Sequence, residues 1–369
     1  MKRVLHCLLA LSLPSISIAA PPTTQPAYEV VDAHTLSAES LLPVEEAAAS
    51  LGFRLYEGVG GVTLVPQAAF DPTPVVFRYA HQTGLYPEFK NEQPVNGGTP
   101  IGMDLPAHLR ETRLKLLRSI GNLPADSLVA FDYEVWGPTL PPEGPYRELA
   151  IQQVRERHPW LVGFDEGRQL VPVTGYLWQQ GATAFFRETL AVAREVRPDL
   201  RYGFYYPQAR HFWKGYATER GDELRATNDL LAETWADCDW FPASVYLFYP
   251  SGEGEGHVPS EANRQYVEAN VSEWRRIEAA TRRADRSARP VIAVLEPSLH
   301  GSNRYVSGLI PMNGFRLVMD AAHAAGGDGL MIWGEALDAA IRREHIQAAA
   351  MYGPVFAEWV ADELAAGQD

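Results

Sequence analysis

Leu128-Val129-Ala130-Phe131-Asp132-Tyr133-Glu134-Val135-Trp136-Gly137-Pro138 opens as an apolar run and ends in two carboxylates, an aromatic and a Gly-Pro break. An apolar run of this length, closed by a turn signal, reads as a buried strand. Side chains two positions apart on a strand share a face, so Asp132 and Glu134 project together where the strand meets its loop. Two acids held side by side repel each other, which favours keeping one protonated near neutral pH.

Outward from this segment, strand-like runs alternate with helical periodicity. Strands are expected near Glu29–Ala33, Pro74–Tyr79, Ser127–Tyr133, Arg201–Tyr206, Trp240–Leu247, Pro290–Leu295 and Gly329–Trp333. Helices are expected at Leu105–Ile120, Tyr146–His158, Gln179–Val196, Asp222–Trp235, Ser260–Arg283, Met312–Ala325 and Leu337–Leu364. Asp104 before Leu105-Pro106 is a good N-cap with Pro in the first turn. Alternating strands and helices call for a parallel sheet, and about seven rounds favour closure. The expected fold class is α/β, a single TIM-like (β/α) barrel of about seven parallel strands.

Barrels of this kind carry their chemistry at the C-terminal ends of the strands. The expected ends hold Asp32, Tyr79, Asp132 with Glu134, Tyr205, Tyr246, Glu296 and Trp333. Acids and aromatics around one mouth suit a sugar cleft, and a carboxyl able to hold a proton suits general acid work on a glycosidic oxygen. Tyr and Trp also cap barrel cores with a polar tip in water, so the set as a whole carries this reading. Glu335, Trp136 and Tyr206 are further substrate-binding candidates.

Composition narrows the field. The 369 residues carry a formal net charge of −14, which argues against nucleic acid and matches polyanionic substrates poorly. Aromatics make up 11% of the chain, with nine Trp, a mild lean toward carbohydrate stacking. Residues 1–20 read as a secretory signal: Lys2-Arg3, an apolar Val4–Leu13, then small residues at Ser17–Ala20. Residues 21–28 read as an exposed tail and 29–369 as one barrel domain, exported to the periplasm or medium, with no membrane span expected. Removal of the leader leaves one thiol, Cys238, and so no intrachain disulfide. The ten His residues show no metal-binding spacing, and neither metal nor cofactor is expected. The partner expected is a glycan.

The ordered motifs resemble the hyaluronidase family of glycosidases. Ser127–Pro138 is similar to its acid motif Asp-Trp-Glu-x-Trp-Arg-Pro. Val75–Tyr79 with Gly84–Pro87 looks like its second strand and turn, and Asn96–Pro100 with Pro106–Leu109 follows in order. Gly203–Pro207, Phe241–Tyr246, Tyr266-Val267 and Gly329–Gly334 resemble later segments, and Val31–Thr35 the first strand. The likeness runs from about residue 29 to 336. It implies a distorted barrel and hydrolysis with retention beside an N-acetylhexosamine, the substrate's own acetamido oxygen acting as nucleophile. By position, Glu134 is the implied general acid and base, and Asp132 orients the acetamido N–H. Tyr205 and Tyr246 would bond the acetamido group, Trp333 would form the floor, and Tyr79 and Asp32 would line the cleft.

Two positions depart from the pattern. Gly137 stands where the family has Arg after the motif Trp, and Asn270 aligns with a second Arg. With the acidic balance, these count against hyaluronan itself as substrate. Missing animal-type disulfide cysteines fit a bacterial relative. Asn270-Val271-Ser272 matches a glycosylation sequon, read as chance on a predicted helix. The alternatives are a chitinase-like hydrolase, which normally has an Asp at the position of Ala130, and a barrel that binds glycans without cutting them.

Overall fold

Seven parallel strands form the centre of the structure, in two sheets. The order β1(Arg54–Gly60)–β9(Gly329–Glu335)–β8(Val291–Leu295)–β7(Phe241–Ser244) makes one sheet, and β2(Val75–Tyr79)–β5(Leu128–Asp132)–β6(Arg201–Phe204) the other. The computed structural model describes residues 44, 47–60, 70–161, 163–164, 166–205, 219–284, 287–335 and 339–366, all within one unit spanning 36–369. The leader, the tail, the strand expected at Glu29–Ala33, Asp32 and Tyr206 lie outside the described residues.

The two sheets meet edge to edge at two seams. Between β6 and β7, Asp239 donates its N–H to the Tyr202 carbonyl at 2.7 Å and accepts from the Tyr202 N–H at 3.0 Å. Arg194 holds the same carboxylate at 2.9 Å. Between β1 and β2, the Asp71 N–H reaches the Leu55 carbonyl at 2.7 Å, and the Asp71 carboxylate pairs with Arg54 at 2.5 Å. Isolated main-chain bonds replace a continuous ladder at both seams. The result is a distorted (β/α) barrel.

Helices cover the outside: α1(Leu105–Ser119), α2(Pro145–Arg157), α3(Val171–Val196), α4(Glu219–Asp229), α5(Ala232–Asp237), α6(Ser260–Thr281), α7(Met312–Ala324) and α8(Ala339–Ala366). Asp104 caps α1 as expected, accepting from the Ala107 N–H at 2.9 Å. The expected Asp222–Trp235 helix is broken into α4 and α5, and α3 starts eight residues earlier than its periodicity suggested. β1 escaped the sequence reading because Gly58, Gly60 and Gly61 blur its strand signal. A short antiparallel hairpin, β3(Glu88–Lys90) and β4(Gln93–Val95), was also not anticipated.

Alternation sorts each strand into two columns. Val129, Phe131 and Tyr133 point outward, into a cluster with Phe185 and Phe186 of α3 and with Phe204. Val75, Phe77, Leu128, Ala130, Trp240, Ile292, Val294 and Met331 pack inside the ring. Trp240 is fully buried there and donates its indole N–H to the Val129 carbonyl at 3.2 Å. Room for it depends on Gly203, where a Cβ would lie 2.6 Å from the Trp240 carbonyl oxygen. Gly203→Ala is therefore expected to force the β6–β7 seam apart and destabilise the fold by about 1–3 kcal/mol, read as a lower urea midpoint.

Candidate active site

The inward columns end at one mouth. In-register pairing sets Tyr79 opposite Asp132 across β2 and β5. Inward positions on β7 and β8 continue past the last ladder bonds to Tyr246 and Glu296, and on β9 to Trp333. Tyr205 follows β6, its N–H bonded to the Phe131 carbonyl at 3.0 Å. Tyr79, Tyr246 and Trp333 all pack on the interior cluster that contains Tyr205. Asp132 is buried at the end of β5, whereas Glu134, two residues on, is exposed to solvent. One acid is thus sheltered and the other faces the cleft.

The aromatic frame is tight. Tyr246 stacks on Trp333 with centroids 5.9 Å apart and planes 19° apart, and it lies 6.3 Å from Tyr205. Phe77 meets both Tyr205 and Trp333 edge-on, at 5.5 and 5.7 Å. The Tyr205 hydroxyl donates to Ser244 Oγ at 2.9 Å. Burial pushes the Tyr205 phenol above its ordinary range, and the charges of Glu134 and Asp132 push the same way. Burial, Tyr205, Glu296 and Asp132 likewise raise Tyr246. Both phenols therefore stay neutral hydrogen-bond donors wherever a carboxylic acid could work.

Most of the sequence-stretch candidates converge, with exceptions. Trp136 is 3% exposed, stacks on Tyr86 at 5.2 Å and donates its indole N–H to the Pro87 carbonyl at 2.6 Å. It packs between the ring and α3, so the expectation that it touches substrate is corrected. The strand has ended by then, and the chain's turn sends Trp136 into the outer core. Glu335 is the last residue of β9. Gly137 offers its carbonyl to the Trp178 indole at 3.0 Å. Asn270 is buried in α6, donating to the Tyr266 carbonyl at 3.0 Å, which removes the sequon from the surface. The Gly252–His257 loop packs against the loop after β8 through Asn303 and Tyr305.

Two residues of the site had not been singled out. Ser244 was hidden inside the Phe241–Tyr246 motif, where its two-residue spacing from Tyr246 was the available signal. His300 stacks on Tyr246 at 6.3 Å and feels the charge of Glu134, and its loop carries no periodicity that could have marked it. Among the described residues no group of three or more His, Cys, Asp or Glu is arranged to hold a metal ion. Cys238 is a buried free thiol pushed up to about 12 by its burial, too high for nucleophilic use.

Glu296 is half-buried, and burial alone raises its carboxyl above the ordinary value of 4.5. A carboxyl raised in the folded state adds stability while protonated and loses it as pH rises through the folded value. Glu296→Gln is expected to raise Tm at pH 7 and to leave it nearly unchanged below pH 4.5, by paired melts at the two pH values.

A family model described as Hyaluronidase matches residues 42–362. Hyaluronidase-2 of Homo sapiens is 28% identical over 307 residues, covering 80% of this chain and 61% of the human protein. Hyaluronidase-1 of Homo sapiens is 26% identical over 279 residues, with 73% and 60% covered. The chain thus spans about three fifths of the length of these curated relatives. Among solved structures, bee venom hyaluronidase superposes with a TM-score of 0.65 at 20% identity, covering 83% of this chain and 99% of that one. The same enzyme in complex with a hyaluronic acid tetramer gives 0.64 at 19% identity, with 82% and 98% covered.

Proposed function

The chain belongs to the hyaluronidase family of glycoside hydrolases, and from that premise we propose that it cuts an N-acetylhexosamine-containing polysaccharide of the hyaluronan type, with retention and with the substrate's acetamido group as nucleophile. One arrangement carries the reading. Asp132 ends β5 and Glu134 follows it by two residues, and both act on Tyr205, which lies beside Tyr246 on Trp333. Carboxylates so close in sequence cannot stand on opposite faces of a sugar ring, as an acid and an opposed nucleophile or base must. A nucleophile within the substrate removes that requirement.

In this mechanism Glu134, exposed in the cleft, gives its proton to the glycosidic oxygen as the bond to the anomeric carbon breaks. The acetamido oxygen closes on that carbon, forming an oxazolinium ion. Sheltered Asp132 accepts the acetamido N–H and balances the charge that develops. Tyr246, held neutral, donates to the acetamido oxygen's side of the ring, and Tyr205 stands beside it, able to donate there by turning its O–H from Ser244. Glu134, now a carboxylate, takes a proton from water as the water opens the oxazolinium from the face the leaving group left. Two displacements restore the original configuration. Trp333, stacked on Tyr246, forms the floor, and Tyr79 and Glu296 border it.

Charge favours a second reading of the substrate. Among the described residues the leading charges on Tyr205 and Tyr246 come from acidic groups: Asp132, Glu134, Glu296 and the phenols themselves. Buried Asn270 and Gly137 supply no cation at the positions of the family's arginines. A chitin-like glycan without uronate suits such a mouth better than hyaluronan does. Export rests on the leader at residues 1–20; among the described residues no helix is long and apolar enough to cross a membrane.

The test measures release of reducing ends from hyaluronan, chondroitin, chitin oligomers and peptidoglycan strands. Glu134→Gln should lower kcat by about a hundred- to ten-thousand-fold on any accepted substrate, with an unchanged circular dichroism spectrum. Full activity in Glu134→Gln would remove it as the acid. Saturable binding without turnover in the wild type would make the chain a glycan-binding barrel.

A further inference from the structure

His300 is held with unusual completeness for a residue on a loop. Its N–H donates to the Leu247 carbonyl at 2.9 Å, and its carbonyl accepts from the Asn303 N–H at 3.0 Å. The loop is closed by the Leu299 N–H on the Gly308 carbonyl at 2.9 Å. Asn303 ties it further, accepting from the Tyr305 and Val306 N–H groups at 2.9 and 3.1 Å and donating to the Gly256 carbonyl at 3.2 Å. The imidazole lies 4.6 Å from the Phe248 ring and stacks on Tyr246, with planes 24° apart.

The tautomer follows from the partners. Nδ1 accepts the Ser302 backbone N–H at 3.3 Å and lies 2.9 Å from the Ser302 hydroxyl. A backbone N–H can only donate, so Nδ1 is an acceptor and the ring proton sits on Nε2. Among the described residues no partner of Nε2 is found, and the side chain is only partly buried. Burial pushes the imidazole below its ordinary 6.5, against a weaker pull from Glu134, which favours the neutral ring. The groups that face it are Glu134 after β5, Tyr246 and Phe248 after β7, and Ser302 on its own loop.

We propose that His300 is a substrate-contact residue at this mouth, donating from Nε2 to an oxygen of the bound sugar. The inference rests on the role given to Glu134 above. His300 stacks on Tyr246 and feels the charge of Glu134, which sets the imidazole at the mouth where both stand. A neutral N–H donor suits hydroxyl and ring oxygens and makes no demand for a uronate. It fits a glycan of uncharged amino sugars.

Glu134→Gln protein holds oligosaccharides uncut, so the contact can be read by binding. The probes are hexasaccharides of hyaluronan and of N-acetylglucosamine, with the His300 Nε2 nitrogen resonance and Kd followed together. Saturation with the bound hexasaccharide should shift the Nε2 resonance. His300→Phe, which keeps a flat ring against Phe248 and Tyr246, should raise Kd about tenfold, and His300→Gln, which restores an N–H donor, should bring it back to within about threefold. An unmoved resonance at saturation, an unchanged Kd in His300→Phe, or no binding of either hexasaccharide would overturn the proposal. Activity retained in Glu134→Gln is a separate failure: it removes the role of Glu134, whereas a shifted Nε2 would still mark a sugar contact.

Discussion

The two-residue period of a parallel strand, held in register with its neighbours, is the constraint on which the mouth depends. It fixes which side chains enter the ring and which leave it, and a slip of one residue would exchange them. On β5 it sends Val129 and Phe131 into the helical layer and Ala130 and Asp132 inward. Pairing with β2 then sets Tyr79 beside Asp132, and pairing with β6 brings Tyr205 alongside. The site continues the packing pattern at the last ladder pairs and one or two residues beyond them.

The interior is filled unevenly, and the filling has consequences at the top. Small Ala130 and Gly203 leave room for Trp240, which blocks the ring below. Phe77 and Tyr205 lie above it and form the base on which Tyr246 and Trp333 stack. Polar groups placed over this apolar plug lose water on one side. That loss explains the raised Tyr205, Tyr246 and Glu296. Burying acidic groups lowers stability, a familiar cost of a functional site.

The sequence made the barrel legible through β2 and β5 to β9, because their apolar runs are continuous and their intervening helices strongly periodic. β1 was not legible: its glycines weaken the strand pattern, and its partner β9 lies at the other end of the chain. The acid pair and the two tyrosines were proposed from strand ends: Asp132 ends β5, and Glu134, Tyr205 and Tyr246 follow strand ends within two residues. Trp136 was misplaced because β5 ends at Asp132, after which the chain turns and the indole enters the outer core. His300 could not be read at all, since its position comes from a loop closed by main-chain bonds and Asn303, contacts that leave no periodic trace. Ser244 lay between these cases, visible only once Tyr246 was known to face inward.

The central claim is that two acids two residues apart at the end of one strand act with a nucleophile supplied by the substrate. Proton NMR of the first product formed tests it most directly, because the anomeric signal is read before mutarotation blurs it. The account predicts that the new reducing end appears first with the configuration of the bond that was cut. An initial product of opposite configuration would mean that water attacks directly, which would contradict the account.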